Sequence, residues 1–207
     1  MTDTYIVTPD GSKLDADQRT VSGQIVKVQF VMAGPNSYIL EASFTRPADA
    51  IAYAADDAVT NSTSAPVALT FPNAARGAGL GGEIRWAQMV CSVNPGTKGN
   101  FELYIFNGPS APAPDNDNAA FTPTDAELLK VVPKIIFHSN NAFAGDAASN
   151  CLYDGTMSNG ADAQRALSIP YVCDPATTSL FGLLKVKGAY TPSSAETFSF
   201  RLGVWRN

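Results

Sequence analysis

GEIRWAQMVCSVNPGTKGNFELYIFNG, residues 82–108, decides the fold class. It holds two runs of alternating character around a cluster of turn residues. In GEIRWAQMVCSV (82–93), Ile84, Trp86 and Met89 or Val90 fall on one side, with Arg85 and Gln88 on the other. FELYIFNG (101–108) sets Phe101, Leu103 and Ile105 against Glu102, Tyr104 and Phe106. Successive side chains of a strand point to opposite faces, so this period of two marks β-structure. Asn94-Pro95-Gly96 supplies the turn between them. The two runs read as core strands of a pair of sheets.

The same signals continue on both sides. VSGQIVKVQFVM (21–32), the turn Ala33-Gly34-Pro35-Asn36 and SYILEASFT (37–45) predict a hairpin. Residues 48–61 predict a short strand, a turn at Asp56-Asp57 and another strand; PVALTF (66–71) is a further strand, and PNAARGAGLGG (72–82) a glycine-rich connection. Residues 109–125, rich in proline, read as the longest loop. Thr124 or Asp125 then caps one short helix near 124–131, which Pro133 stops. KIIFH (134–138) is a strand, 139–150 a loop and 151–165 irregular; ALSIPYVC (166–173), SLFGLLKVKGAY (179–190) and TFSFRLGVWR (197–206) are closing strands. About nine or ten strands with no repeat predict an all-β sandwich or barrel. The reading adopted is a jelly-roll-like β-sandwich of two antiparallel sheets. Residues 21–207 form its single domain, and residues 1–20 a polar N-terminal arm able to extend.

Composition narrows the function classes. Hydrophobic residues are 45% of the chain and charged residues 16%, against a typical charged share of roughly 25%. Net charge is −5 and the fourteen Lys and Arg are scattered, so the basic footprint of a nucleic-acid partner is missing. No run of about 18 apolar residues predicts a membrane span, and the polar N-terminus lacks a secretory pattern, which points to synthesis in a cytosol. Three cysteines, Cys91, Cys151 and Cys173, with one histidine, His138, fit no zinc pattern. Cys91 reads as a small buried hydrophobe, and pairing of Cys151 with Cys173 stays open.

The candidate chemistry is sparse. The segment Arg76, Gly77, Gly79, Gly81 and Gly82 leads into a strand instead of a helix, so it is not a phosphate cradle. It reads as a turn, or as an interaction loop together with Pro112 and Pro114. Asp115, Asp117 and Asp125 are oxygen ligands of the kind calcium takes, but Ala120 and Ala126 stand where an EF-hand loop needs Gly and Glu. Turn chemistry is the preferred account, with no metal or cofactor. Asp56 and Asp57, read as strand neighbours, would face opposite ways; glycosidase chemistry from Asp or Glu on separate strands, with Glu83 a further acid, stays open. His138 has no nucleophile elbow beside it. Tyr104, Trp86 and Trp205 could stack on a sugar, though strand positions favour the core for them. No catalytic residue is assigned.

Three groups of phrases carry a family resemblance: TRPADAIAYAADDAV (45–59) with PVALTFPNAARGAGLGGEIRWAQMV (66–90), FELYIFNGPSAPAPDNDNAAFTPTDAELL (101–129), and SLFGLLKVKGAYTPSSAETFSFRLGV (179–204). In this order they resemble a family of tailed-bacteriophage virion proteins, across residues 45–204. The resemblance implies a jelly-roll decoration, or cement, protein on the exterior of the phage head, made in the host bacterial cytoplasm. It further implies a homotrimer bound to the major capsid protein, and no active site. The alternative is a tail- or fibre-associated module that recognises carbohydrate or a partner protein and exposes Trp or Tyr.

Overall fold

The computed structural model describes residues 6–7, 13–14, 17–21, 24–28, 37–95, 97–144, 150–156 and 167–207. The chain divides into two units, Met1–Pro35 and Asn36–Asn207. Residues 24–28, expected in the sandwich, therefore lie in the N-terminal unit. There β1 (Ile6–Val7) pairs with β2 (Lys13–Leu14), and β3 (Asp17–Val21) with β4 (Gln24–Val28). This corrects the expected hairpin. β4 pairs back on β3, from Asp17 opposite Val28 to Val21 opposite Gln24. The turn expected at 33–36 lies outside the described residues. β5 (Ser37–Thr45) pairs along its whole length with β14 (Thr197–Arg206).

The second unit is all-β and sandwich-like, with one short helix among the described residues. Its remaining strands are β6 (Ala58–Val59), β7 (Leu69–Phe71), β8 (Gly81–Cys91), β9 (Phe101–Phe106), β10 (Val131–Ala144), β11 (Cys151–Thr156), β12 (Ile169–Val172) and β13 (Leu180–Val186). All pairings are antiparallel, in the order β5-β14-β8-β11-β10-β9-β13-β6; β12 also pairs with β8, and β7 with β13. The two layers are thus one sheet that curls, since β11 pairs with β8 on one side and β10 on the other. β8 and β9, adjacent in sequence, pair with different neighbours, and the turn after β8 crosses between the layers.

The alternation read in β9 holds. Phe101, Leu103 and Ile105 enter the main core, and Phe106 enters a smaller cluster on the opposite face. Across the core Phe101 meets Phe198 and Tyr190 edge-on at 5.5 and 5.2 Å, and Phe137 lies 6.0 Å from Phe200. β13 is buried on both faces because Leu180, Leu184 and Val186 face the main core while Phe181 and Leu183 face the smaller cluster. Residues beyond Pro109 cover that outer face, where Phe121 packs on Tyr104 at 4.9 Å.

Four local expectations are corrected. In β8, Gly203 faces Trp86 and Val204 faces Ile84, so Arg85 is an extra residue. Such a bulge reverses the phase of a strand: Ile84 and then Ala87, Met89 and Cys91 point inward, while Trp86 points out. The helix is only Asp125–Leu128, closed by a capping box in which Thr124 and Glu127 bond each other's backbone. Pro133 does not end it. That residue lies inside β10 where the register with β9 shifts, a place that tolerates a missing N–H. Finally, residues 139–144 continue β10 and 151–156 form β11, where a loop and irregular chain were expected.

Candidate functional site

Among the described residues, polar side chains gather in a buried cluster, in a second cluster on the outer face of β9 and on one exposed strand face. The first cluster is built on Arg46, which leaves the end of β5 with its side chain fully buried. Its Nε donates to Tyr53 Oη (2.8 Å), and Nη2 to Asp49 Oδ1 and Asp117 Oδ2 (both 3.1 Å). Nη1 donates to the carbonyls of Asp49 (2.7 Å) and Ser193 (3.3 Å). Asp117 Oδ1 accepts from Tyr53 Oη (2.7 Å) and from the Thr60 backbone (2.9 Å). Burial lowers the Arg46 pKa, but the bonds and charges of Tyr53, Asp117 and Asp49 outweigh it, so the guanidinium is held charged.

Glu196 extends this cluster. Its two carboxylate oxygens accept from Tyr190 Oη at 2.9 and 2.8 Å, and its own carbonyl accepts from the Arg46 backbone at 3.0 Å. Burial raises the Glu196 pKa above the ordinary carboxylate value despite these donors. Both carboxylate oxygens of Asp117 and of Glu196 are engaged by protein donors, whereas Asp49, 30% exposed, gives its Oδ1 to Arg46 and to the Ile51 backbone. The cluster is a clamp that fixes the 46–53, 117 and 190–196 segments.

The second cluster lies on the outer face of β9. Glu102, itself buried, accepts from Lys134 Nζ (2.6 Å) at Oε1. Its Oε2 pairs with Lys185 Nζ (3.2 Å) and accepts from Tyr104 Oη (3.2 Å). Burial would raise its pKa, but the two lysines together hold it below the ordinary value. Lys185 also donates to Asp56 Oδ1 at 2.7 Å. Asp56 and Asp57 form a turn and not a strand pair: Asp56 has φ +68°, and Asp57 accepts from the Ala54 backbone at 2.6 Å.

The sequence candidates are placed apart. Asp115 spends both oxygens on Thr122, at 2.7 and 2.9 Å, Asp117 belongs to the clamp, and Asp125 lies in the first turn of the helix. Among the described residues no group of three or more His, Cys, Asp or Glu is placed to hold a metal ion. Arg76 is exposed at the surface, with Gly77 half-buried beside it and Gly79 at φ +74°. Gly81 instead begins β8, where a Cβ would strike the Tyr171 backbone. Pro112 is buried and Pro114 half-buried. His138 accepts from the Asn140 backbone through Nδ1 (3.1 Å), a local turn contact. Glu83 accepts from Ser168 Oγ and from Arg85 Nη1. A cavity between β5 and β13, lined by Phe44, Val59, Leu69 and Leu184 among others, has no titratable side chain in its wall.

The three cysteines are buried free thiols. Cys151 faces Cys91 across the β8–β11 pair, whereas Cys173 bonds Leu80 at the other end of β8. Ten residues of strand span roughly 30 Å, which rules out a Cys151–Cys173 bridge in this fold.

The feature that sequence reasoning missed is the outer face of β5, β14 and β8. Both tryptophans lie there, Trp86 37% and Trp205 51% exposed, beside Ile39 at 52%. Register places Ile39, Gly203 and Trp86 in one row and Glu41, Arg201 and Gln88 in the next. Arg85 stacks over Trp205 at 4.8 Å, and Arg201 lies over Trp86 at 5.9 Å. The face's charges are matched within it, Arg85 to Glu83 at 2.9 Å and Arg201 to Glu41 at 3.0 Å, while Gln88 donates to Asp154 at 3.2 Å. The missing signal was the β8 bulge, which nothing in the sequence around Arg85 announces.

No protein-family model matches the chain, and neither does any curated protein.

Proposed function

We propose that the chain is a structural virion protein of the head-decoration type, which binds the major capsid protein lattice through the Trp86–Trp205 face and stabilises the head. One observation carries this reading: a broad strand face exposes both tryptophans while its charges are already paired. Aromatic residues and arginine are the usual anchors of protein interfaces. Internal pairing makes the face close to neutral, which suits a protein surface better than a polyanion.

The resemblance over residues 45–204 supports the same reading. Its recurring phrases contribute Arg46, Asp49, Tyr53, Asp117, Tyr190 and Glu196, the members of one interior clamp. Shared phrases that build a clamp speak for a preserved scaffold and not for a shared reaction, so the chain is read as no enzyme. Homotrimeric assembly, the position on the capsid exterior and synthesis in the host cytoplasm follow from the resemblance and belong to the proposal.

The test combines solution mass with binding to emptied or expanded phage heads. A stable trimer that adds to heads supports the reading. A monomer that ignores heads but is retained on a glycan surface would sink it and favour a tail- or fibre-associated carbohydrate module. The exposure of Trp86 and Trp205 gives that second reading its footing, since indole faces also stack on sugars.

A further inference from the structure

Cys91 is the last residue of β8 and Cys151 the first of β11, and the two are direct partners in the antiparallel register. Opposed residues in such a pair have Cα atoms about 4.5–5.5 Å apart, within the roughly 4.4–6.8 Å that a disulfide spans. Both belong to the same core cluster, with their neighbours Met89 and Tyr153. We propose that Cys91 and Cys151 are a latent cross-strand disulfide site, closed by thiol–disulfide exchange with a small-molecule disulfide.

In the first step the Cys151 thiolate attacks one sulfur of the oxidant and releases one equivalent of its thiol. The Cys91 thiolate then attacks the Cys151 sulfur of that mixed disulfide and releases the second equivalent. The protein pair gives up two protons and two electrons, and the oxidant is reduced to two thiols. The order follows from surroundings. Burial raises both thiols and Glu196 disfavours both thiolates, but Lys98 and the Tyr153 side chain favour that of Cys151, and among the described residues no group favours that of Cys91. Both cysteines stand at strand ends beside exposed residues, Ser92 and Asn150, so fraying of that end gives the oxidant access.

The bond would staple β8 to β11, where the curled sheet passes from one layer to the other. A chain folded in a reducing compartment and carried into an oxidising one would gain this staple after folding. The inference stands apart from the proposed virion role, because its readout uses no phage head.

The reduced full-length protein is incubated with oxidised glutathione at pH 8.5, both natively and in urea near its unfolding midpoint, then unfolded in acid and alkylated. Three cysteines should alkylate before oxidation and one after. A non-reduced digest should join the Cys91 and Cys151 peptides, and the thermal midpoint should rise by roughly 10 °C. Cys173→Ser should retain the bridge, and Cys151→Ser should abolish it. Three alkylatable thiols after both incubations overturn the proposal, as does a bridge to Cys173, a bridge between chains or glutathione left on either cysteine.

Discussion

The indole of Trp86 lies across the backbone of Gly203, in the space a Cβ at that position would take. The bulge at Arg85 turns Trp86 outward, and Gly203 opposite it leaves the bare backbone on which the ring rests. Gly203→Ala should push the indole into water. Over-filling a packed contact costs about 1–3 kcal/mol, and the lower end applies because the ring can swing toward solvent. The expected result is a red-shifted tryptophan emission with a loss of ~1 kcal/mol in denaturant unfolding; an unchanged spectrum would contradict the packing.

The Arg46–Asp117 pair makes a second prediction. Both side chains are essentially inaccessible, at 0% and 1% exposure. Removing one partner of a buried pair strands the other charge, typically at ~3–5 kcal/mol. Asp117→Asn should fall at the lower end, since Asp49 still faces Arg46 and the amide oxygen can still accept from Tyr53 and Thr60. Chemical denaturation measures the loss, and a change within ~0.5 kcal/mol would show that the clamp carries little.

Two buried glutamates should respond oppositely to pH. Both have an ordinary pKa of 4.5; the lysines beside Glu102 depress it, and burial raises that of Glu196. A depressed folded-state pKa gives stability that is present above 4.5 and lost as pH falls through the folded value. A raised one gives stability that is full below 4.5 and lost as pH rises toward the folded value. Glu102→Gln should therefore flatten the acid limb of the stability profile, and Glu196→Gln the limb above 4.5. Urea unfolding from pH 3 to 8 separates them; difference profiles of the same sign would refute the assignment.

How legible these features were depends on the range of the interactions that made them. Strand alternation is local, so Phe101, Leu103 and Ile105 of β9 were readable as core. The capping box of Thr124 and Glu127 was half readable, because Thr124 announces a start, while the end was wrongly tied to Pro133. Pairing partners are not local: β5 pairs along its whole length with β14 near the other end of the sequence, which nothing around β5 announces. Nor is a bulge local, since Arg85 is supernumerary only relative to Gly203 and Val204 on another strand. One unseen residue therefore moved Trp86 from the expected core to the surface, and with it the candidate interface. The clamp was hidden for the same reason: Arg46 and Asp117 are 71 residues apart, and Asp117 had the local appearance of a loop residue.

The docking face makes the last prediction. Trp205 is half exposed and its ring carries Arg85, so Trp205→Ala removes area from the surface and little from the core. Stability should stay within ~0.5 kcal/mol of the parent. Binding to heads should weaken tenfold or more, equivalent to ~1.4 kcal/mol, as expected for an aromatic anchor. Val67→Ser supplies the control, because Val67 is 67% exposed on the segment before β7, where it lines the cavity beside Phe44 and does not belong to the face that carries Ile39, Trp86 and Trp205. That variant should bind as the parent does. Equal head binding by all three proteins would exclude this face as the docking surface, and weakening by Val67→Ser alone would place the contact at the other layer.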